Sequence, residues 1–126
     1  MERTQAALTE EKRKSLESVY NIRHCSMAEL FASGIKPDVV VADPPYAKKF
    51  LPLYGELAEL CAKAKIPVVA VMCGLTFLPE VLNRMTAHLD YRWMLAYLTP
   101  GGQAAQHKPK VNSSWKPILR FGKAHA

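Results

Sequence analysis

The feature that most constrains the fold of this chain is a short apolar run, Asp38-Val39-Val40-Val41-Ala42, that stops abruptly at a second acidic residue, Asp43. Three consecutive β-branched residues followed by alanine are too few for a helix and are typical of a strand buried on both faces. Strands of this kind belong to sheets that carry a layer of helices on each side. The run therefore predicts amphipathic helices before and after it along the chain.

Apolar residues at three- and four-residue spacing predict those helices. They cover residues 9–20, 26–32, 48–64 and 78–89, with Thr9 as the N-cap of the first and Gly34 closing the second. Further strands are predicted at 21–24, 66–73, 91–98 and 116–121, with Trp93 in the core and a loop at 103–114. Strands that alternate with helices indicate one α/β domain with a mostly parallel sheet and helices on both faces. Residues 1–20 are expected to form an N-terminal helical arm.

The positive charge of the chain is concentrated in its last part. The net charge is +6, and the residues from 101 onward include five cations and no acidic residue. These cations are Lys108, Lys110, Lys116, Arg120 and Lys123. They are interleaved with Asn112 and Trp115, a mixture that suits contacts to phosphates and bases. A solvated basic surface with no nucleic-acid partner has the same composition, so both interpretations stay open at this point.

The cysteines and the hydropathy indicate the cellular setting. Cys25, Cys61 and Cys73 are odd in number and form no Cys-x-x-Cys pair, which argues against a disulfide framework and a zinc site. Three buried thiols in a reducing cytoplasm are expected, with no metal. No apolar run approaches the roughly 20 residues that span a bilayer, and the first residues lack a secretory signal. The expected location is cytoplasmic, without a membrane.

The tetrapeptide Asp43-Pro44-Pro45-Tyr46 follows the central strand directly. In open α/β sheets, ligands bind beyond the carboxyl ends of the strands. A simple chain reversal is the alternative, since Asp-Pro-Pro is a good turn anywhere. However, an acidic residue after four apolar ones is expected to be partly desolvated, which is costly without a purpose. Two prolines in succession also remove two backbone donors and stiffen the loop. The tetrapeptide is therefore the predicted site.

Together with blocks further along the chain, this motif resembles amino-methyltransferases that act on DNA adenine, in particular the phage and prophage type. The matching blocks are Ala28-Glu29-Leu30, Phe50-Leu51-Pro52-Leu53-Tyr54, Leu78-Pro79-Glu80-Val81-Leu82, residues 95–103, Lys110-Val111-Asn112 and Trp115-Lys116-Pro117. The resemblance extends from about residue 22 to about residue 121. It implies a Rossmann-like methyltransferase domain, of which residues 21–126 form the catalytic half, with S-adenosylmethionine as cofactor and DNA as partner.

The resemblance also assigns roles to the residues of the motif. The exocyclic amine of adenine is a poor nucleophile because its lone pair is delocalised into the ring. The carboxylate of Asp43 and the carbonyl of Pro44 would accept hydrogen bonds from its two N–H groups, with Pro45 keeping the loop rigid. Tyr46 would stack on the base once it has left the duplex. The predicted nucleic-acid-binding residues are Lys108, Lys110, Asn112, Trp115 and Lys116.

One block of the family pattern is missing. The family places its cofactor loop, usually Asp-Pro-Phe followed by glycines, after the equivalent of Phe121, and the chain has no such loop. Asp43 would then line only one side of the cofactor pocket. Three interpretations remain: a fragment of a longer enzyme, a subunit paired with another chain, or a truncated or inactive module that binds nucleic acid without catalysis. We expect the chain alone to bind the cofactor weakly or not at all, and to associate, as a homodimer or with a complementing C-terminal half.

Overall fold

The computed structural model describes residues 9–15, 19–101, 104–106 and 111–122. Residues 9–15 are helical, so Thr9 lies within the helix and not at its N-cap, and the helix has ended by Val19. The strand predicted at 21–24 is wrong, because these residues have no regular structure and Ile22 is 94% exposed. An apolar pattern alone does not make a strand, which also requires a neighbouring strand to satisfy its backbone groups.

The remaining elements alternate along the chain as expected. In order they are α1 (Met27–Ala32), β1 (Val39–Ala42), a 3-10 turn (Lys48–Phe50), α2 (Leu51–Lys63), β2 (Val68–Met72), α3 (Leu78–Thr86), β3 (Tyr91–Leu98), β4 (Ala104–Gln106), β5 (Val111–Ser113) and β6 (Trp115–Gly122).

Local signals set the ends of the first two labelled helices. The hydroxyl of Ser26 accepts a hydrogen bond from the backbone N–H of Glu29 at 3.1 Å, which caps α1. Gly34 has a φ of +84° and lies two residues beyond the end of the helix, in a conformation that glycine adopts without strain. Pro52 lies in the first turn of α2, where its missing N–H has no partner to lose.

The main sheet has four strands in the order β1-β2-β6-β3. β1 and β2 pair in parallel, whereas β6 runs antiparallel to both of its neighbours. β1, β2 and β3 therefore share one direction, and the fold is a mixed α/β sheet of the partial Rossmann-like type. Apolar periodicity does not carry strand direction, so the sequence did not reveal that β6 returns between β2 and β3.

The core lies on one face of this sheet, beneath α2 and α3. Its buried members include Tyr54, Leu57, Cys61, Val69, Val71, Cys73, Val81, Met85, Leu119 and Phe121. The side chains of α2 and α3 reach this face because their apolar residues recur every three or four positions, while those of the strands alternate. The apolar faces of the helices and of the strands therefore pack into a single core.

The other face of the sheet is open in the part of the chain that the structure describes. We call it the uncovered face; its exposed residues are Val39 (52% exposed), Val41 (73%), Trp93 (66%), Leu95 (50%) and Tyr97 (51%). Strand alternation and the β3–β6 register place them all on the side away from the helices. Three expectations are therefore wrong: helices on both faces, a β1 buried on both faces, and Trp93 in the core. Strands that are apolar on both faces do not reveal which face is covered.

The predicted loop at 103–114 contains a two-stranded antiparallel ribbon, formed by β4 and β5. Its base is closed by a hydrogen bond of 2.7 Å from the backbone N–H of Thr99 to the carbonyl of Ser114. Residues 107–110 between the two strands lie outside the described residues. A polar, basic composition favoured a loop over the short strands that the ribbon contains.

The cysteines differ in accessibility, which predicts a labelling result. Cys25 is exposed, whereas Cys61 and Cys73 are buried, so the expectation of three buried thiols is wrong for Cys25. Burial raises the pKa of the Cys61 thiol to about 11 and that of Cys73 to about 12, which keeps both protonated and unreactive at neutral pH.

An aromatic disulfide reagent should modify one thiol in the native protein, and the other two only after denaturation. Cys25→Ser should abolish the fast phase; a second fast thiol would contradict this packing.

Candidate active site

The motif Asp43 to Tyr46 begins immediately after β1, at the carboxyl end of the two parallel strands. Because β6 runs the opposite way, its first residues, Trp115 and Lys116, lie at the same edge. An open cavity of about 260 Å³ has formed there, lined by Asp43, Pro44, Pro45, Tyr46 and Lys116. The topology therefore brings the four motif residues together with one of the predicted nucleic-acid-binding residues.

Asp43 and Tyr46 are joined by a short hydrogen bond, in which the Tyr46 hydroxyl donates to Oδ1 of Asp43. Asp43 itself is exposed, so the expected partial desolvation of its side chain is wrong. The reason is that β1 is an edge strand with one open face. Burial, and then the Asp43 carboxylate, raise the pKa of Tyr46 above its ordinary value. Tyr46 is therefore a neutral donor at physiological pH, and its acceptor is the carboxylate that a substrate amine would need.

Two further residues contact the Tyr46 ring. The ammonium nitrogen of Lys116 lies 4.9 Å from the ring centroid, a cation–π distance. Gly74 lies beside the ring, since a Cβ at this position would be 3.5 Å from Cβ of Tyr46. Lys116 was predicted as a nucleic-acid-binding residue, whereas the position of Gly74 beside the ring was missed. The available signal was its position directly after the strand that neighbours β1, which puts it at the same edge.

Beneath this edge, a buried tyrosine supports the motif from α2. The hydroxyl of Tyr54 donates to the carbonyl of Met72 at 3.3 Å, which ties α2 to the end of β2. Burial is the main cause that raises the pKa of Tyr54 to about 12, with smaller contributions from Cys73 and Asp43. Tyr54 was not singled out from the sequence, because an aromatic residue on a helix stripe is typical of any core.

A second cavity, of about 430 Å³, lies on the other side of Asp43, between the start of α1 and α2. Its lining combines Asp43, Pro44 and Pro45 with Cys25, Ser26, Met27, Ala42, Leu53 and Glu56. The walls are mainly apolar, and the carboxylates of Asp43 and Glu56 are the charged groups at its margin. This composition can accept an organic group that carries a positive charge.

The other predicted nucleic-acid-binding residues are described only in part. Trp115 is half-buried as the first residue of β6 and does not line the motif cavity. Asn112 lies in β5, and Lys108 and Lys110 lie outside the described residues. Within the described ranges, no group of three His, Cys, Asp or Glu side chains is arranged to hold a metal ion. No helix among these residues has the length and apolar character that crossing a membrane requires.

Comparison with known proteins gives a match at the level of structure. No family model matches the chain, and no curated protein matches it. The crystal structure of an M1.HpyAVI–SAM complex superposes with a TM-score of 0.57 at 14% sequence identity. The match covers 79% of this chain but only 51% of that chain, so this chain spans about half the length of its structural neighbour. The chain therefore has a partial Rossmann-like α/β fold, similar to half of this neighbour.

Proposed function

We propose that this chain supplies the catalytic loop of an S-adenosylmethionine-dependent methyltransferase that acts on the exocyclic amine of a flipped adenine in DNA. The observation that carries the proposal is the cavity formed by Asp43 to Tyr46 at the carboxyl edge of two parallel strands. The similarity of the fold to a protein in complex with SAM supports the choice of cofactor. The motif resemblance adds adenine and the phage or prophage type to the proposal, and the odd number of cysteines adds a cytoplasmic setting.

In this mechanism Asp43 is the central hydrogen-bond acceptor. Its carboxylate is exposed, so an amine can reach it once the Tyr46 hydroxyl has turned away. The carbonyl of Pro44 is the second acceptor, and Pro45 limits the movement of the loop. Two acceptors on one amine draw its nitrogen toward a tetrahedral geometry and free the lone pair. Such preorganised acceptors act by positioning and electrostatics and need no covalent bond to the enzyme.

Tyr46 has the second role, as the platform for the base. A flipped base loses its stacking partners in the duplex, and an aromatic ring in the pocket replaces part of that energy. The ring lies within the motif cavity, next to Asp43, so a base stacked on it has its edge close to the carboxylate. This arrangement accounts for an aromatic residue directly after the two prolines.

The residues at the second cavity fit one end of the cofactor only. When bound, S-adenosylmethionine supplies an electrophilic methyl group on a positively charged sulfonium. Asp43 and Glu56 would hold this charged part against the apolar wall formed by Met27 and Leu53. The part of the chain that the structure describes offers no glycine-rich turn followed by a helix at this edge, which a carboxylate-bearing cofactor normally uses. A complementing segment would have to hold the other end.

This incomplete cofactor site favours a second candidate, a methyltransferase-like module that binds nucleic acid without catalysis. The two candidates differ in a direct test. Transfer of a labelled methyl group from S-adenosylmethionine to DNA, with N6-methyladenine identified by mass spectrometry, supports the enzyme. Salt-dependent DNA binding with no methyl transfer, by the chain alone or with the complementing half, supports the binding module.

DNA binding itself is expected to depend on the basic tail, by which we mean the residues from 101 onward with their five cations. Replacing Lys108 and Lys110 by alanine should weaken binding to all DNA sequences alike, because phosphate contacts carry no sequence information. The slope of log K against log salt should decrease by about one unit per lost contact. Fluorescence anisotropy at several salt concentrations measures both effects. The matched control is the pair Lys12 and Lys14 in the N-terminal arm; an equal loss in both double variants, or none in either, would contradict a specific role of the tail.

A further inference from the structure

The contact between Lys116 and Tyr46 joins two residues that the proposed function uses for different purposes. Lys116 is a predicted nucleic-acid-binding residue, and Tyr46 is the proposed platform for the base. In the structure the Lys116 ammonium lies over the ring at 4.9 Å from its centroid. A base stacked on this face of the ring would take the same position. Lys116 and a base therefore compete for one place.

The Asp43 carboxylate, the second functional group of the motif, also has a partner in the structure. The Tyr46 hydroxyl donates to Oδ1 of Asp43. An adenine amine would use this oxygen or the second oxygen of the same carboxylate. Gly74 lies beside the ring, where a Cβ placed on the glycine would be 3.5 Å from Cβ of Tyr46, an ordinary van der Waals distance. In the free protein, one face of the Tyr46 ring and one oxygen of the Asp43 carboxylate are therefore engaged by the protein's own side chains.

A nucleic-acid phosphate can reverse this state through Lys116. The ammonium has a partly exposed position at the edge where the β4–β5 ribbon leaves the sheet, so a bound backbone can reach it. A charge-assisted hydrogen bond to a phosphate is stronger than a contact between an ammonium and a tyrosine ring. Once Lys116 has left, this face of the ring is free, and an incoming amine competes with the Tyr46 hydroxyl for Asp43.

We propose that Lys116 is a positioning residue that holds Tyr46 against Asp43 in the free protein and releases the ring when it binds a phosphate of the nucleic acid. Phosphate binding then precedes opening of the base pocket, so the pocket is closed to free nucleosides and open to bases on a bound strand. This inference rests on the proposed function, from which it takes the roles of Tyr46 and Asp43.

The experiment follows the Tyr46 ring by NMR in the full chain with ¹³C-labelled tyrosine, the signal being assigned with Tyr46→Phe. The probe is single-stranded oligothymidylate, which supplies phosphates but no adenine amine. Without the probe, Lys116→Gln should shift the Tyr46 ring signal, while Lys116→Arg should leave it close to the wild-type position. With the probe, the wild-type signal should move toward the Lys116→Gln position, and the signal of Lys116→Gln itself should not move. The salt slope of probe binding should be smaller by about 0.7 units in Lys116→Gln.

Lys49 provides the matched control. Its ammonium lies 5.0 Å from the centroid of the Phe50 ring, so Lys49→Gln removes the same charge and the same kind of contact at a neighbouring site. It should leave the Tyr46 signal and its response to the probe unchanged. A Tyr46 signal that is identical in wild type and Lys116→Gln would overturn the proposal, as would a wild-type signal that stays in place while the probe is bound, or an absence of probe binding. No methyl transfer enters these readouts, so they fail or succeed independently of the proposed catalysis.

Discussion

Replacing Asp43 by alanine is expected to reduce methyl transfer to adenine by roughly 100- to 1000-fold, the usual cost of removing one preorganised acceptor or donor from a transition state. The carboxylate is the acceptor that makes the amine nucleophilic, and the fold does not depend on it. Asp43 is exposed, and its described hydrogen bond is to the Tyr46 hydroxyl, which can turn to solvent instead. Labelled methyl transfer, in the presence of the complementing half where the chain alone is inactive, measures the loss, and circular dichroism checks the fold.

Asp38 provides the matched control for this experiment. It is an exposed carboxylate directly before the first residue of β1, at the opposite end of the strand from Asp43. Asp38→Ala removes the same charge from the same strand and should leave methyl transfer unchanged. Methyl transfer at the wild-type rate in Asp43→Ala would refute the role assigned to this residue. DNA affinity is expected to persist in both variants, because neither removes a cation.

The second large effect is expected from the uncovered face of the sheet. Soluble monomers rarely expose contiguous apolar patches larger than a few hundred Å². Here Trp93, Leu95 and Tyr97 of β3 are each at least half exposed on the same side as Val39 and Val41 of β1. We therefore expect the chain by itself to associate through this face, most simply as a two-fold dimer. Burial of these apolar side chains against a second copy favours association.

Two leucines of β3 give a paired test. Leu95 lies on the uncovered face at 50% exposure, and Leu98 lies on the opposite side of the same strand at 70% exposure. Leu95→Glu should abolish the dimer in sedimentation velocity runs, whereas Leu98→Glu should keep it, and both should remain folded because both side chains are already exposed. A wild-type monomer at high concentration would mean that another partner, such as a complementing half, covers this face.

The salt dependence of the dimer provides a further test of this association. Register places Lys116 and Arg120 on the uncovered face, opposite Tyr97 and Trp93 respectively. Both are positive, so two copies meeting through this face bring like charges closer together. Added salt screens this repulsion and should strengthen the dimer. The same addition should weaken DNA binding, so the two equilibria are separable in one titration series.

The sequence carried enough information to find the motif and most of the elements. The run at β1 stands out because β-branched residues end at an acid and two prolines, and each feature has a local physical cause. The ends of α1 were also predictable, since Ser26 and Gly34 act on backbone groups a few residues away. The exposure of the Trp93 side chain was not predictable, because β3 is apolar on both sides. Only the absence or presence of a covering layer decides which side is buried.

Contacts between distant elements were the other part that sequence patterns could not supply. The pairing of Tyr46 with Lys116 requires β6 to lie next to β2 with its first residues at the carboxyl edge. No periodicity in the chain encodes that order. The role of Gly74 likewise follows from the neighbouring positions of β1 and β2. These relations arise from topology, which depends on the sum of many long-range contacts.

The position of β6 has a consequence for how the chain reaches its structure. This strand follows the other three strands of the main sheet along the chain, yet it lies between β2 and β3, and its pairs with β2 join residues as far apart as Val68 and Gly122. Until β6 has left the ribosome, β3 has no strand to pair with in the main sheet. The helices and the β1–β2 pair can form before β6 is made, but the four-stranded sheet closes only when β6 is present, and contacts of such high sequence separation form slowly. A nascent chain that lacks β6 therefore exposes β3, and binding by chaperones, or by a complementing chain, competes with aggregation until β6 follows.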